Sequence, residues 1–317
     1  MTKVFFSIVL LAVSLGGCKQ RQKGSQTEKE GGITFIVTSD MARRGESEQQ
    51  NIADLLGRFV AENSICFLAV AGDPVHDDGV ESIHDEEWNL KIENIYTAPS
   101  LHALPWYVIS GNHEYNGSIP AILEYSNVSE RWNAPSRYFS FTRKIGAGRH
   151  ECLFIFIDTT PLIDKYRIDE PRSDAPQQDI DAQLDWLKNE LSSSETKWTI
   201  VIGHHPVYAK TTKQLSERTD MQKRVGGLLE THGADFYIAG HVHNFQHINL
   251  TGGKVHYIVN SSASKSREVH ETDEVEGFIF GNPDPGFTVF TVSADSVQFS
   301  FVNHTGETVY HSVVSKK

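Results

Sequence analysis

Past residue 32 the chain alternates between short apolar runs and longer stretches whose apolar positions recur at helical spacing. The short runs are ITFIVTS (33–39), ICFLAVA (65–71), WYVIS (106–110), ECLFIFID (151–158), WTIVIG (198–203) and FYIAG (236–240). Unbroken apolar runs rich in β-branched and aromatic side chains predict strands buried on both faces. Between them, residues 47–62 place Ile52, Leu55, Leu56, Phe59 and Val60 on one helical face. Residues 180–191 do the same with Ile180, Leu184, Leu187 and Leu191, and residues 218–230 predict a third helix. From residue 255 the pattern becomes residue-by-residue alternation in VHYIVNS, GFTVFTVS, DSVQFSFVN and ETVYHSVV. That period predicts strands joined by hairpin-like connections. Strands interleaved with helices, then strands in succession, predict an α/β fold of two packed sheets flanked by helices. No internal repeat divides residues 33–315, so one domain is expected over that span.

The first residues follow different rules. Lys3, an apolar stretch to residue 15 and the ending Leu15-Gly16-Gly17-Cys18 read as a secretory signal over residues 1–17. The stretch is short of the about 20 apolar residues that cross a bilayer. Leu-Gly-Gly-Cys resembles the bacterial lipobox, which implies that Cys18 is lipidated and becomes the first residue of the mature chain. Residues 18–32 are polar and glycine-containing, as in a flexible tether. The expectation is an exported protein, lipid-anchored to the bacterial cell envelope; Lys19 after the cysteine points to the outer membrane.

Composition narrows the partners. A hydrophobic fraction of 39% supports a sizeable core, and the net charge of −12 argues against nucleic acid, whose phosphates are held by Lys and Arg clusters. It leaves room for a small phosphate ester held by metal ions, and nothing in the sequence calls for an oligomer. Cys66 and Cys152 lie inside apolar runs, which suits buried thiols.

The chemistry-bearing residues fall where the apolar runs stop. Asp40 follows IVTS, Gly72-Asp73 follows LAVA, and Gly111-Asn112-His113 follows YVIS. Gly203-His204 ends TIVI, and Gly240-His241-Val242-His243 follows FYIA. Ligand sites of α/β folds gather outside the carboxyl ends of strands. Asp, Asn and His are oxygen and nitrogen donors suited to iron, manganese or zinc. A carboxylate is suited to bridging two ions.

The runs GD (72–73), GNHE (111–114), GHHPV (203–207) and GHVHN (240–244) are similar to those of the calcineurin-like metallophosphoesterases. Within these the chain most resembles the tartrate-resistant (purple) acid phosphatases, over residues 33–313. The likeness extends to LPWYVISGNHEYNG, YSNVSERWNAPSRYFSF and GFTVFTVSADSVQFSFVNHTGETV. It implies a four-layer α-β-β-α sandwich of two mixed β-sheets with a dinuclear metal site at the strand ends. It further implies that Asp40 and His243 bind one ion, that Asn112, His204 and His241 bind the second, and that Asp73 bridges them. His113 would face the substrate, bind its phosphoryl group and protonate the leaving oxygen. The implied reaction is phosphomonoester hydrolysis by direct attack of a metal-bound hydroxide. A phosphodiesterase or nucleotidase on the same centre is the alternative, and a lipoprotein that only binds is a third.

One position departs from that family. Its purple members carry Tyr at the third residue after the bridging Asp, where this chain has His76 in GDPVH. A neutral imidazole in place of a tyrosinate keeps the net charge of the centre when both ions are divalent, so His76 is expected to be a metal ligand of a colourless Fe, Mn or Zn pair. His205 is a candidate to line the substrate pocket, and Glu114 to orient His113. The charged segment 163–174 corresponds to a loop that can lie over the site in that family, and the resemblance with its polarity implies a lid.

Overall fold

The doubly apolar runs become the interior strands of two sheets, because each of their faces meets a different layer. The computed structural model describes residues 32–270 and 274–316; the expected signal, Cys18 and all but the last residue of the tether lie outside the described residues. Strands β1 (Ile33–Thr38), β2 (Leu68–Ala71), β3 (Trp106–Ile109) and β4 (Trp132–Asn133) run parallel in one sheet. Strands β5 (Phe139–Lys144), β6 (Glu151–Phe156), β7 (Trp198–Ile202), β8 (Phe236–Ala239), β9 (Phe245–Asn249), β10 (His256–Val259) and β11 (Phe278–Asn282) make the other. Strands β12 (Gly286–Val292), β13 (Ser296–Asn303) and β14 (Thr308–Ser315) return to the first, with β12 antiparallel to β1. The orders are β14-β13-β12-β1-β2-β3-β4 and β11-β9-β10-β8-β7-β6-β5, and both sheets are mixed.

The two sheets meet over an aromatic core. Phe35 of β1 stacks between Phe67 and Phe290, with ring centroids 4.9 and 5.0 Å away, and takes Phe154 of the opposite sheet edge-on at 5.2 Å. Offset and edge-to-face pairs of this kind each add about 0.5–1.5 kcal/mol beyond the area they bury. On the outer face of the first sheet, Ile52, Ala53 and Leu56 of helix Gln49–Glu62 pack in one cluster with Ile36 and Val70. On the outer face of the second, Leu187 and Leu191 of helix Ile180–Ser193 pack with Ile155 and Val201. The result is the expected order of layers, α-β-β-α.

The differences from the sequence pattern are local. The helix expected over 218–230 is Leu215–Met221 and Gly227–His232 joined by a wide turn, Gln222–Gly226, at the Gly226-Gly227 pair. Strands β5, β9 and β11 carry Arg143, Gln246 and Gly281 among their apolar residues, so their alternation is masked until the neighbouring strand supplies the pairing. Cys66 and Cys152 are free thiols, Cys152 fully buried. No helix of the described residues is long and apolar enough to cross a membrane.

Candidate metal centre

The carboxyl ends of β1, β2 and β3 in one sheet and of β7 and β8 in the other converge, and the loops leaving them are laced together. Asp40 N–H donates to the Gly72 carbonyl at 3.1 Å, and Met41 N–H to Asp73 at 2.9 Å. Gly240 N–H donates to the His204 carbonyl at 2.9 Å. The two sheets are joined where His241 N–H donates to Asp40 Oδ2, also at 2.9 Å. Turning a chain this sharply at a strand end strains it. Asp40, Asp73, His241 and His243 have φ of +52°, +49°, +71° and +62°, in the left-handed region. Such residues cost roughly 1–3 kcal/mol each and collect at functional sites, where surrounding contacts hold them.

Glycine is required beside them because the site leaves no room for a side chain. A Cβ on Gly72, itself at φ +81°, would lie 2.6 Å from His204 Cβ. One on Gly111 would lie 2.6 Å from Asp73 N and 2.8 Å from its Cγ.

Asp73 Oδ2 is the centre of the cluster. It stands 3.1 Å from His204 Nε2, 3.4 Å from His76 Nε2 and 3.9 Å from His113 Nε2. On one side Asp40 Oδ1 lies 3.0 Å from His243 Nε2 and 4.0 Å from His76 Nε2. On the other, His241 Nδ1 lies 3.2 Å from His204 Nε2. Each of the last three histidines is aimed by its far nitrogen. His204 Nδ1 donates to the Ala71 carbonyl at 3.0 Å, and His243 Nδ1 to the Lys265 carbonyl at 2.7 Å. His241 Nε2 donates to Glu217 Oε2 at 2.9 Å. A carbonyl or carboxylate oxygen only accepts, so the far nitrogen carries a hydrogen and the near one presents its lone pair once the ring is neutral.

These are the requirements of a cation site. Asp73 Oδ2, His204 Nε2 and His241 Nδ1 face one another at about hydrogen-bond distance, which positive charge between them must hold: a proton on His204 or, in its place, a metal ion. Asp40 Oδ1, Asn112 Oδ1 and both ring nitrogens of His76 are buried with no hydrogen-bond partner. Unpaired buried polar groups are costly, and metal ions would satisfy Asp40 Oδ1, Asn112 Oδ1 and one ring nitrogen of His76. Burial alone would raise the carboxyl pKa of Asp40, but His243 and His204 overcome it and hold the group far below its ordinary range. Burial of Asp73 is likewise outweighed by His204, His113 and His76. His204 is pushed up to about 9, its burial opposed by Asp73 and Asp40. Burial lowers His76 and His241, which keeps them neutral as ligation requires. Groups Asp40–His76–His243 and Asp40–Asp73–His204 each offer atoms within 4.8 Å of one another. Asp40, Asp73, His76, His204, His241 and His243 are brought to one place, with His76 within reach of both Asp73 and Asp40, and buried Asn112 precedes the His113 whose N–H binds Asp73.

The other expectations fare differently. His113 is at the rim, its side chain 27% exposed; its N–H donates to Asp73 Oδ1 at 2.9 Å and its Nδ1 to the Asp77 carbonyl. Glu114 does not orient that imidazole. Its two oxygens accept from Val75 N–H at 2.9 Å and Gly111 N–H at 2.7 Å, so it clamps the second and third loops together. His205 is fully buried, with Nδ1 2.8 Å from Thr159 Oγ1, and packs against His241 and Tyr166. Its Nε2 has no partner, and its ring nitrogens lie within 4.8 Å of those of His204 and His241. Segment 163–174 is anchored, with Tyr166 buried and Arg172 Nη1 donating to the Asn112 carbonyl at 2.8 Å. Two residues of the site gave no sequence signal. One is Glu217, behind His241. The other is Lys213, whose Nζ lies 3.3 Å from His241 Nδ1.

Comparison with known proteins agrees with this geometry. A sequence profile of the calcineurin-like phosphoesterases matches residues 33–245. The chain is 29% identical to purple acid phosphatase 4 of Arabidopsis thaliana over 90% of its own length and 85% of that protein. It is 26% identical to human tartrate-resistant acid phosphatase type 5 over 79% of each. Among solved structures it is similar to GAP50, described as the anchor in the inner membrane complex of Plasmodium (TM-score 0.77, 20% identity, 90% of each chain). That family uses a dinuclear metal centre, which the Asp and His groups described above are equipped to hold. From the matched span and the convergent donors at five strand ends, the chain belongs to the calcineurin-like phosphoesterase family and is a metal-dependent phosphoester hydrolase.

Proposed function

We propose that the protein is a phosphomonoesterase of acid-phosphatase type. The observation that carries this reading is the pair of groups at the rim outside the expected ligand set. His113 stands on one side of Asp73 and Lys213 beside His241. A terminal phosphoryl dianion needs more positive charge and more hydrogen-bond donors than a diester monoanion, and these two residues supply them. Asp40, Asp73, His76 and His243 would hold one ion, and Asp73, Asn112, His204 and His241 the other. Such ions neutralise charge on the ester and lower the pKa of bound water toward neutrality.

The chain's own residues do the rest. With Nδ1–H held by the Asp77 carbonyl, Nε2 of His113 is aimed into the cluster, and in the doubly protonated ring its N–H would bind a phosphoryl oxygen and pass that proton to the leaving one. Backbone N–H of His113, tied to Asp73 Oδ1, keeps that ring in register with the bridging carboxylate. Neutral His76 in place of a phenolate supports two divalent ions, from among Fe, Mn and Zn. The lipobox-like ending at Cys18 supports export and a lipid anchor, and Lys19 after it the outer membrane; fatty-acid labelling that persists in Cys18→Ser would remove that part.

Purified, metal-loaded protein assayed on aryl phosphate, bis-aryl phosphate and nucleotides tests the reading. Aryl phosphate should be preferred, and His113→Ala should lose about 10²–10⁴-fold in kcat with its metal retained. Preference for the bis-aryl ester would turn the assignment to a phosphodiesterase. Hydrolysis of none of them would leave a binding protein.

A further inference from the structure

Glu217 is a buried carboxylate with partners on both sides. Its Oε2 accepts from His241 Nε2 at 2.9 Å. Its Oε1 accepts from Lys165 Nζ at 2.9 Å and from Tyr166 OH at 3.0 Å. His204 and His243, by contrast, are aimed by neutral backbone carbonyls. His241 alone among these three has an anion behind it. A carboxylate on the far nitrogen fixes the ring's rotation and makes the near nitrogen a stronger donor, and losing such a partner costs about 10–100-fold in metal affinity.

The groups that set Glu217 come from one stretch of chain. Lys165 and Tyr166 belong to the turn Lys165–Asp169, and Arg172 follows shortly after. The Arg172 guanidinium lies over the Tyr166 ring, 4.9 Å from its centroid, while Nη1 donates to the Asn112 carbonyl at 2.8 Å. Tyr166 is buried against His205. Segment 163–174 therefore grips two residues of the Asn112–His204–His241 side at once, one directly and one through Glu217. The described contacts of the Asp40–His76–His243 side include none from this segment.

We infer that Glu217 is a positioning residue for the second metal site and that segment 163–174 is the strap that sets that site's affinity for a divalent cation, independently of the first. This rests on the phosphoesterase reading only for the identity of the ions. The strap acts on binding: it aims His241 Nδ1 and the Asn112 peptide, and it balances the Glu217 charge with Lys165.

The test is metal binding to the full chain. Wild type, Glu217→Ala, Glu217→Gln, Lys165→Met and Arg172→Ala are titrated with zinc against a chromophoric chelator, with stoichiometry read by elemental analysis. In Glu217→Ala one of the two ions should loosen about 10–100-fold and the other hold. Glu217→Gln, which still accepts the His241 hydrogen bond, should recover part of that loss. Lys165→Met and Arg172→Ala should weaken the same ion less, and they carry the test if Glu217→Ala does not fold. Unchanged affinities in all variants, or equal loss of both ions, would overturn the strap. Wild type that holds two ions with this pattern but hydrolyses no ester would overturn the phosphatase assignment and leave the strap standing. Wild type that binds fewer than two ions removes both.

Discussion

Replacing Gly111 by alanine should disable the centre through a single methyl group that touches no ion. The added Cβ would sit 2.6 Å from Asp73 N and 2.8 Å from Asp73 Cγ. Relief to ordinary packing, about 3.5–4.0 Å between carbons, requires a shift of about 1 Å. Neither partner is free to move. Gly111 N–H is held by Glu114, and Asp73 is held by Met41 N–H, by His113 N–H and by its own left-handed turn. Overpacking of this kind costs about 1–3 kcal/mol of stability. A displacement of about 1 Å in a positioning group costs about 10²-fold in rate. The bridging carboxylate is the group displaced, so metal content should fall as well. Calorimetric Tm, elemental analysis and kcat/KM on aryl phosphate give the three readings. Gly227→Ala is the control, since a Cβ there meets nothing within 4 Å and the site is helical; it should be neutral or stabilising by up to about 1 kcal/mol. A Gly111→Ala protein that keeps both ions and stays within about twofold of wild-type kcat/KM would refute the close-approach reasoning.

Glu114→Ala leaves Val75 N–H and Gly111 N–H buried without an acceptor, at about 1–3 kcal/mol each, and denaturant titration should show the loss even in apo protein. Glu114→Gln, with one acceptor oxygen, should recover part of it. With His76 in the tyrosine position, metal-loaded wild type should show no iron–phenolate band in its visible spectrum, whereas His76→Tyr loaded with ferric iron should gain one. An intense band in wild type would end the divalent assignment. Far from the metals, His247 is lowered to about 3 by burial and by His256, while an unfolded histidine titrates near 6.5. Its contribution is present above about pH 6.5 and is lost as pH falls toward 3, with a slope of at most about 1.4 kcal/mol per pH unit for one proton. Tm measured across that window should fall more gently in His247→Gln, and an unchanged slope would show that other groups set the acid limit.

The residues that bind were legible in the chain because their placement is local. Each follows an apolar run by one or two positions, behind a glycine in most cases, so period and turn chemistry alone carry Asp73, Asn112, His204 and His241 to the same ends of their strands. His76 could be read as a departure because it stands three residues after Asp73. What the sequence could not show is which groups stand behind them. Glu217 meets His241 across 24 residues and Lys165 across 52, by side-chain reach between elements that have no common period. Glu114, adjacent to His113, was drawn by chain proximity to the wrong partner; in the fold its oxygens face two buried N–H groups that only the docking of two loops creates. His205 reads as a pocket residue beside His204; in the fold it is fully buried, and its ring converges with those of His204 and His241, a meeting that only the approach of the two loops creates. Local backbone rules fixed the donors, and packing between distant segments decided how those donors are aimed.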